Sequence, residues 1–371
     1  MEIHIFNPEH EIALASNLKH FTAPHAARQL RRDLGFLPCF WAEEDDFVVV
    51  DDVQACESAL SRISFPVRGK LIERDGLFRW LRLLASATPV VFRPWGWDLS
   101  LRQELLDMGA KSDWMPDDDD MEFFRTVSHR AWASRKLLTP LRSLAGTVGE
   151  AEQITNIDGL DACGRRWHSL VVKSPWSSSG RGVKYLRPMP ANPEQLDISP
   201  SNRGWMQNVI RRQGSLMVEP CYKKILDFGM EFYADNSGEV EFKGLSLFTT
   251  EGTSYTGNFV GPEDDKWDRL SQYIDLHLVR QVIVRLSLML GFEFQKRYVG
   301  PLGIDAMVVA NPDNPQGPNL LHPCVELNLR RTMGHLALNI AARNPNAHGN
   351  LNIGLTDKYR LHFFNSKFKI G

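Results

Sequence analysis

The chain has 371 residues, 43% hydrophobic and 24% charged, enough for two or three domains with sizeable cores. A formal net charge of -2 offers no bulk attraction for nucleic acid or an anionic membrane, so any polyanion site must be local, as a nucleotide pocket is. The five cysteines, Cys39, Cys56, Cys163, Cys221 and Cys324, form no C-x-x-C pair, which argues against a disulfide framework and a zinc knuckle and fits a reducing, cytoplasmic setting.

The opening "MEIHIFNPEHE" lacks a basic region followed by an apolar run and does not read as a signal peptide. To about residue 112, strand-like runs ("IHIFN", "LPCFWA", "FVVVDD", "PVVFRPW") alternate with helix-like ones ("PHAARQLRRDLG", "GLFRWLRLLASA", "LSLRQELLDMG"). That order predicts a mostly parallel sheet with helices on its faces and ligands at the carboxyl ends of its strands, where "NPEHE" and "RPWGWD" fall. "KSDWMPDDDD" follows, and its acids, Asp117 to Asp120, predict a solvated linker and a domain boundary near residue 120.

Beyond it, "FFRTVSHRAWASRKLLTPLRSLA" has a helical period, and "SLVVKS" and "GVKYL" read as strands around a serine and glycine loop. A helix around "NRGWMQNVIRRQG" leads to the strand "SLMVEPCY". "DFGMEFYADNSGEVEFKGLSLFTT" has an antiparallel pattern turning at Asn236, Ser237 and Gly238. A long helix, "LVRQVIVRLSLMLGF", presents Leu278, Val279, Val282, Leu286 and Met289 on one buried face; Arg280 and Arg285 make it too charged to span a bilayer. Strands "GIDAMVVA" and "HPCVELNL" close the pattern around the loop Asn311 to Leu320.

A strand carrying Lys173 into a loop with Ser177, Ser178, Ser179, Gly180 and Gly182 suits a phosphate cradle, though it equally suits an ordinary hairpin turn. The Walker loop is absent, and no G-x-G-x-x-G opens a helix after the first strand. The "DFG" at Asp227 to Gly229 does not make a kinase, because the lysine precedes its glycine loop here and "SHRAW" lacks the catalytic aspartate. Glu326, Asn328 and Arg330 stand two apart and share a face in an extended chain, and a symmetric hairpin puts Asp305 opposite Glu326. Oxygen donors of this kind suit magnesium that is also held by phosphates.

Taken in this order, "VVKSPWSSSGRGV", "LMVEP", "GIDAMV" and "VELNLRRTMGH" resemble the ATP-grasp superfamily over about residues 126 to 345. The resemblance implies an α/β pre-ATP-grasp sheet domain (1–120), a small lid subdomain (121–215) and a large α+β subdomain with the magnesium site (216–371). Lys136, Lys173 and the loop would contact ATP phosphates. Glu219 and the backbone near Cys221 would read adenine, and either Asp227 or Glu231 the ribose. Asp305, Glu326 and Asn328 would hold magnesium. Arg330 would hold an anionic intermediate or acceptor, and a lone His335 at a helix start is more often structural.

The implied activity is an ATP- and magnesium-dependent ligase that activates a carboxylate as an acyl phosphate for an amine. The alternatives are a phosphotransferase and a catalytically degenerate nucleotide binder. The substrates would be a small-molecule carboxylate and amine, an amino acid or peptide among them. Glu9, His10, Arg93, Tyr255 and Asn258 are candidate acceptor-pocket residues. No nucleic-acid or membrane partner is expected, and a homodimer is allowed, although no exposed apolar stripe marks its surface in the sequence.

Overall fold

Four short runs near the amino terminus become parallel strands, β1 (Glu2–Ile5), β2 (Phe47–Val50), β3 (Lys70–Glu73) and β4 (Val91–Pro94). They belong to a computed structural model that describes residues 1–83, 90–177, 182–252 and 254–364. Ile3, Ile5 and Val49 pack on one face with Leu77 and Leu101, while Val48 and Val50 pack on the other with Leu34 and Phe40. Burial on both faces explains why "FVVV" reads as a continuous apolar run. Helices α1 (His10–Ser16), α2 (His25–Leu34), α3 (Val53–Leu60), α4 (Arg74–Leu83) and α5 (Leu99–Asp107) cover this sheet. The strand order β3-β2-β1-β4 reverses direction between β1 and β4, which opens a crevice at their carboxyl ends.

Two expectations change here. "LPCFWA" is no strand: Pro38 fixes a helical dihedral, and Leu37–Phe40 forms a 3-10 turn. The acids of "KSDWMPDDDD" are no free linker either. Asp117 caps α6 (Asp118–Val127) by accepting from the Asp120 amide at 2.8 Å, and Asp118 to Asp120 fill its first turn, where the helix dipole favours negative charge. Arg102 and Arg297 pair with Asp118 and Asp120 at 2.9 and 3.0 Å.

Two short helices, α7 (Arg130–Ala133) and α8 (Thr139–Leu141), flank a π-helical stretch, Ser134–Leu138. Next comes a four-stranded antiparallel sheet in the order β5-β10-β6-β7, from β5 (Glu152–Ile154), β6 (Leu170–Lys173), β7 (Val183–Leu186) and β10 (Leu216–Pro220). A small hairpin, β8 (Pro188–Met189) with β9 (Asn192–Leu196), and the helices α9 (Gly159–Trp167) and α10 (Pro200–Gln213) complete this body around Leu160, Val172, Met206 and Val218.

The last body is a seven-stranded sheet ordered β15-β14-β11-β12-β13-β16-β17. Its strands are β11 (Lys224–Ala234), β12 (Val240–Glu251), β13 (Ser254–Val260), β14 (Gly300–Val309), β15 (Leu320–Asn328), β16 (Gly349–Leu355) and β17 (Tyr359–Phe364). Helices α11 (Glu263–Ser271), α12 (Leu276–Phe294) and α13 (Met333–Arg343) pack on it. The face predicted for α12 is largely buried, with Val279, Val282 and Leu286 fully so. The same helix exposes Val284, Leu288 and Phe292, an apolar stripe at helical spacing that the sequence reading did not single out. Among the described residues no helix is long and apolar enough to cross a membrane.

Candidate functional site

The antiparallel pairing of β11, β14 and β15 fixes one face of the large sheet. Gly229 stands opposite Asp305, and Asp305 opposite Glu326, as the hairpin symmetry predicts; Glu231 stands opposite Gly303, and Gly303 opposite Asn328. Because side chains alternate along a strand, Asp227, Glu231, Asp305, Glu326 and Asn328 all point the same way. They line a cavity of about 420 Å³ whose opposite wall comes from the small sheet, with Val171, Lys173, Val183, Tyr185, Glu219 and Cys221.

Lys173 and Glu219 meet on that wall. Lys173 Nζ donates to Glu219 Oε2 at 2.6 Å, and both side chains are buried. A glutamate buried in an apolar strand needs a hydrogen-bond donor, and Lys173, from the neighbouring strand, is that donor. The Cys221 amide donates to the Ser169 carbonyl at 2.9 Å, so this hinge N–H is already used.

The sequence reading missed Arg130. Its guanidinium lies in the cleft and donates to Glu326 Oε1 at 2.6 Å, to the Ser174 carbonyl at 2.5 Å and to Ser177 Oγ at 2.9 Å. One side chain thus ties the loop after β6 to the carboxylate of β15. No sequence pattern marks it beyond an arginine in a helical stretch. Lys136, named instead, does not reach the cleft: it lies on the π-helical stretch, half exposed, and donates to Glu293 at 3.0 Å. Gly182 closes the loop on Ser177, where a Cβ would overlap the serine hydroxyl. Ser178, Ser179 and Gly180 lie outside the described residues.

Burial, then the charges of Glu326 and Glu231, push the Asp305 carboxyl up to about 8. Asn328 Nδ2 donates to Asp305 at 3.1 Å, which does not offset the crowding. A donor set of carboxylate and amide oxygens with excess negative charge fits magnesium. Among the described residues, however, the only three His, Cys, Asp or Glu side chains close enough to hold a metal unaided are Glu2, His4 and Asp46, outside the cleft. Asp305 and Glu326 would therefore need phosphate oxygens to complete a coordination shell.

Arg330 is held by three acceptors: Glu11 from α1, Asn328 Oδ1 at 2.9 Å and the Arg331 carbonyl at 3.0 Å. Burial acts to raise the Glu11 carboxyl, but the Arg330 guanidinium outweighs it and holds that carboxyl below its ordinary range. Glu11 lay in the "NPEHE" segment, yet Glu9 and His10 were the residues named. Helix α1 begins at His10, which sends Glu11 to the cleft and leaves Glu9 with Arg31 at 2.7 Å in the crevice beside β1 and β4.

Of the acceptor-pocket candidates, Tyr255 and Asn258 line the cleft. His10 is buried against Asp98 at 3.4 Å, and Arg93 pairs with Glu2 at 2.7 Å and faces a different cavity. Asp227 is held by Lys224 at 2.5 Å and Thr250 at 3.1 Å. Glu231 sits deeper, where Cβ atoms on Gly303 and Gly334 would collide with its carboxylate. His335 completes a capping box with Thr332 and bonds the Phe232 carbonyl at 3.1 Å, which accords with a structural role, and it lies 2.9 Å from Glu231 Oε2.

No family model matches the sequence, and no characterised protein matches it by sequence. Among solved structures the chain is similar to pyruvate carboxylase of Rhizobium etli, with TM-score 0.51, 15% identity, and 92% of this chain and 27% of that one covered. It is also similar to a β,γ-ATP complex of biotin carboxylase from Campylobacter jejuni, with TM-score 0.49, 11% identity, and 94% and 74% covered. An ADP complex of N5-carboxyaminoimidazole ribonucleotide synthetase gives TM-score 0.48, 14% identity, and 95% and 80% covered. At these identities the likeness is one of architecture, and that architecture, a mixed α/β chain in which two antiparallel sheets face each other across a cleft, is the ATP-grasp fold.

Proposed function

We propose that the cleft binds ATP with magnesium and that the protein is a ligase, activating a small-molecule carboxylate as an acyl phosphate for attack by an amine. One observation carries the reading: Lys173 and Glu219 on one sheet face Asp305, Glu326 and Asn328 on the other across a single cavity. Asp305, Glu326 and Asn328 would hold magnesium, and with ATP bound it would supply charge to polarise the phosphates while the nucleotide supplied the phosphoryl group for the carboxylate.

The chain's own groups then have distinct tasks. Lys173 offers positive charge to phosphate oxygens, at the expense of its bond to Glu219, which becomes free to accept from the adenine amino group. Val171, Val183 and Met307 provide apolar walls for a flat ring, and Asp227 or Glu231 accepts from the ribose. Arg330, oriented by Glu11 and mostly buried, holds developing negative charge. Arg130, which spans the loop and Glu326, holds the two jaws together.

The acceptor would enter from the crevice at the carboxyl ends of β1 and β4, where Asn7, Glu9, Arg28, Arg31 and Arg74 converge. That crevice suits a molecule carrying both an anionic and a cationic group, as an amino acid or peptide does. The test is ADP release from ATP and magnesium across a panel of amino acids and small carboxylates, followed by mass spectrometry. A ligated product supports the ligase; a phosphorylated acceptor replaces it with a phosphotransferase, and the absence of ADP release and of nucleotide binding overturns the reading.

A further inference from the structure

A second cavity, of about 650 Å³, lies between the parallel sheet and the seven-stranded one. It takes Arg93 from β4, Lys243 from β12, Lys266 from α11 and Arg331 from the segment before α13, with Trp41, Tyr233 and Tyr298 among its walls. Nothing in the proposed ligase reaction uses it.

Its charges do not balance locally. Arg93 pairs with Glu2 at 2.7 Å, Lys266 with Glu263 at 2.9 Å, and Lys243 with Glu241. Among the described residues the Arg331 guanidinium has no hydrogen-bonded or carboxylate partner; its contact is the face of Trp41, 4.3 Å away. Arg331 is half-buried, so it keeps some contact with water while its guanidinium stays open to an anion, and arginine is the side chain best shaped to grip carboxylate or phosphate with two parallel hydrogen bonds. Burial, joined by the nearby charge of Arg93, lowers Arg331 to about 10, which shows that the tyrosines and Glu2 around it do not compensate. Trp41, Trp95, Trp97, Tyr233 and Tyr298 give part of the wall flat aromatic faces, which take planar apolar bodies, beside the acids Glu2 and Glu263.

We propose that this cavity is a second ligand site, for a small organic anion with a planar body, whose carboxylate or phosphate group is held by Arg331 and Lys243 and whose ring lies on the aromatic wall. The assignment does not depend on the ligase reading.

The test is calorimetric titration of the full chain with benzoate and with phenyl phosphate. At least one should bind with a Kd below about 1 mM, and the one that does identifies the head group. Arg331→Met should weaken that binding at least tenfold, and Lys243→Glu should weaken it severalfold. If Arg331→Met fails to fold, Lys243→Glu, on a partly exposed side chain away from the nucleotide cleft, decides alone. Failure of both probes to bind, or unchanged affinity in the variants that fold, overturns the proposal.

Discussion

Arg130 and Glu326, 196 residues apart in the chain, are joined by a 2.6 Å charge-assisted hydrogen bond on one jaw of the cleft, where α7 packs beside β15. The same guanidinium holds Ser177, so the loop over the cleft and the candidate metal ligand are one hydrogen-bonded unit. Arg130→Met should weaken ATP binding about tenfold, read as a smaller thermal shift with ATP and magnesium. An undiminished shift would mean that Arg130 only braces the empty protein.

Lys173 and Glu219 are a buried ion pair, and removing one partner leaves the other charge without compensation. Lys173→Met is expected to cost about 3 kcal/mol and to lower the thermal midpoint by several degrees. Lys173→Met with Glu219→Gln should recover more than half of that loss, because neither charge remains buried. A double variant as unstable as the sum of its singles would show that the two residues are not coupled.

The Asp305 carboxyl, raised to about 8, keeps its proton in the folded chain over a pH range in which the unfolded chain has lost it. Its contribution is therefore full below about pH 4 and is lost as pH rises toward about 8. Asp305→Asn carries the neutral form at every pH. Relative to the parent chain without ligand, it should melt about 2 to 6 °C higher near pH 9 and equally near pH 4. It should also lose the extra stabilisation that magnesium gives with ATP. Equal melting of the two proteins near pH 9 would contradict the burial argument.

Glu231 occupies a space that exists because its neighbours lack side chains. A Cβ on Gly303 would stand 2.7 Å from Glu231 Oε2, and one on Gly334 would overlap Oε1. Gly334→Ala should destabilise by about 1 to 3 kcal/mol, and Glu231→Ala in the same chain should restore part of it. Calorimetric melting of the three variants decides; no restoration would place the strain elsewhere.

How much of this was legible in the sequence depended on whether the signal was local. The period-two spacing of Glu326 and Asn328, and the hairpin symmetry that set Asp305 against Glu326, are properties of strands and held in the fold; Arg330 lies past the strand's end in a bend, yet still lines the same cleft. Lys173 and Glu219 were each identified singly, but their bond depends on which strands become neighbours, and β10 lies beside β6 only through tertiary pairing. Arg130 and Lys136 sit in the same helical stretch six residues apart, and nothing local says which one faces the cleft. The acidic run was misjudged because repulsion among Asp117 to Asp120 was weighed without the helix dipole that attracts them. Glu11 needed the starting point of α1 to within one residue, a boundary that periodicity does not fix.

Arg330 and Arg331 are consecutive, yet the first serves the nucleotide cleft and the second the aromatic cavity. The backbone bends between them: the Arg330 amide donates to the Asn328 carbonyl at 2.8 Å and the Arg331 amide to the Trp95 carbonyl at 2.8 Å, so the two residues are pinned to different elements. Deleting or inserting one residue between Asn328 and Thr332 would therefore break at least one of these anchors and displace both arginines from their cavities. Two sites that look independent in chemistry are thus locked to one reading frame, and a change in length at this segment would be felt by both at once.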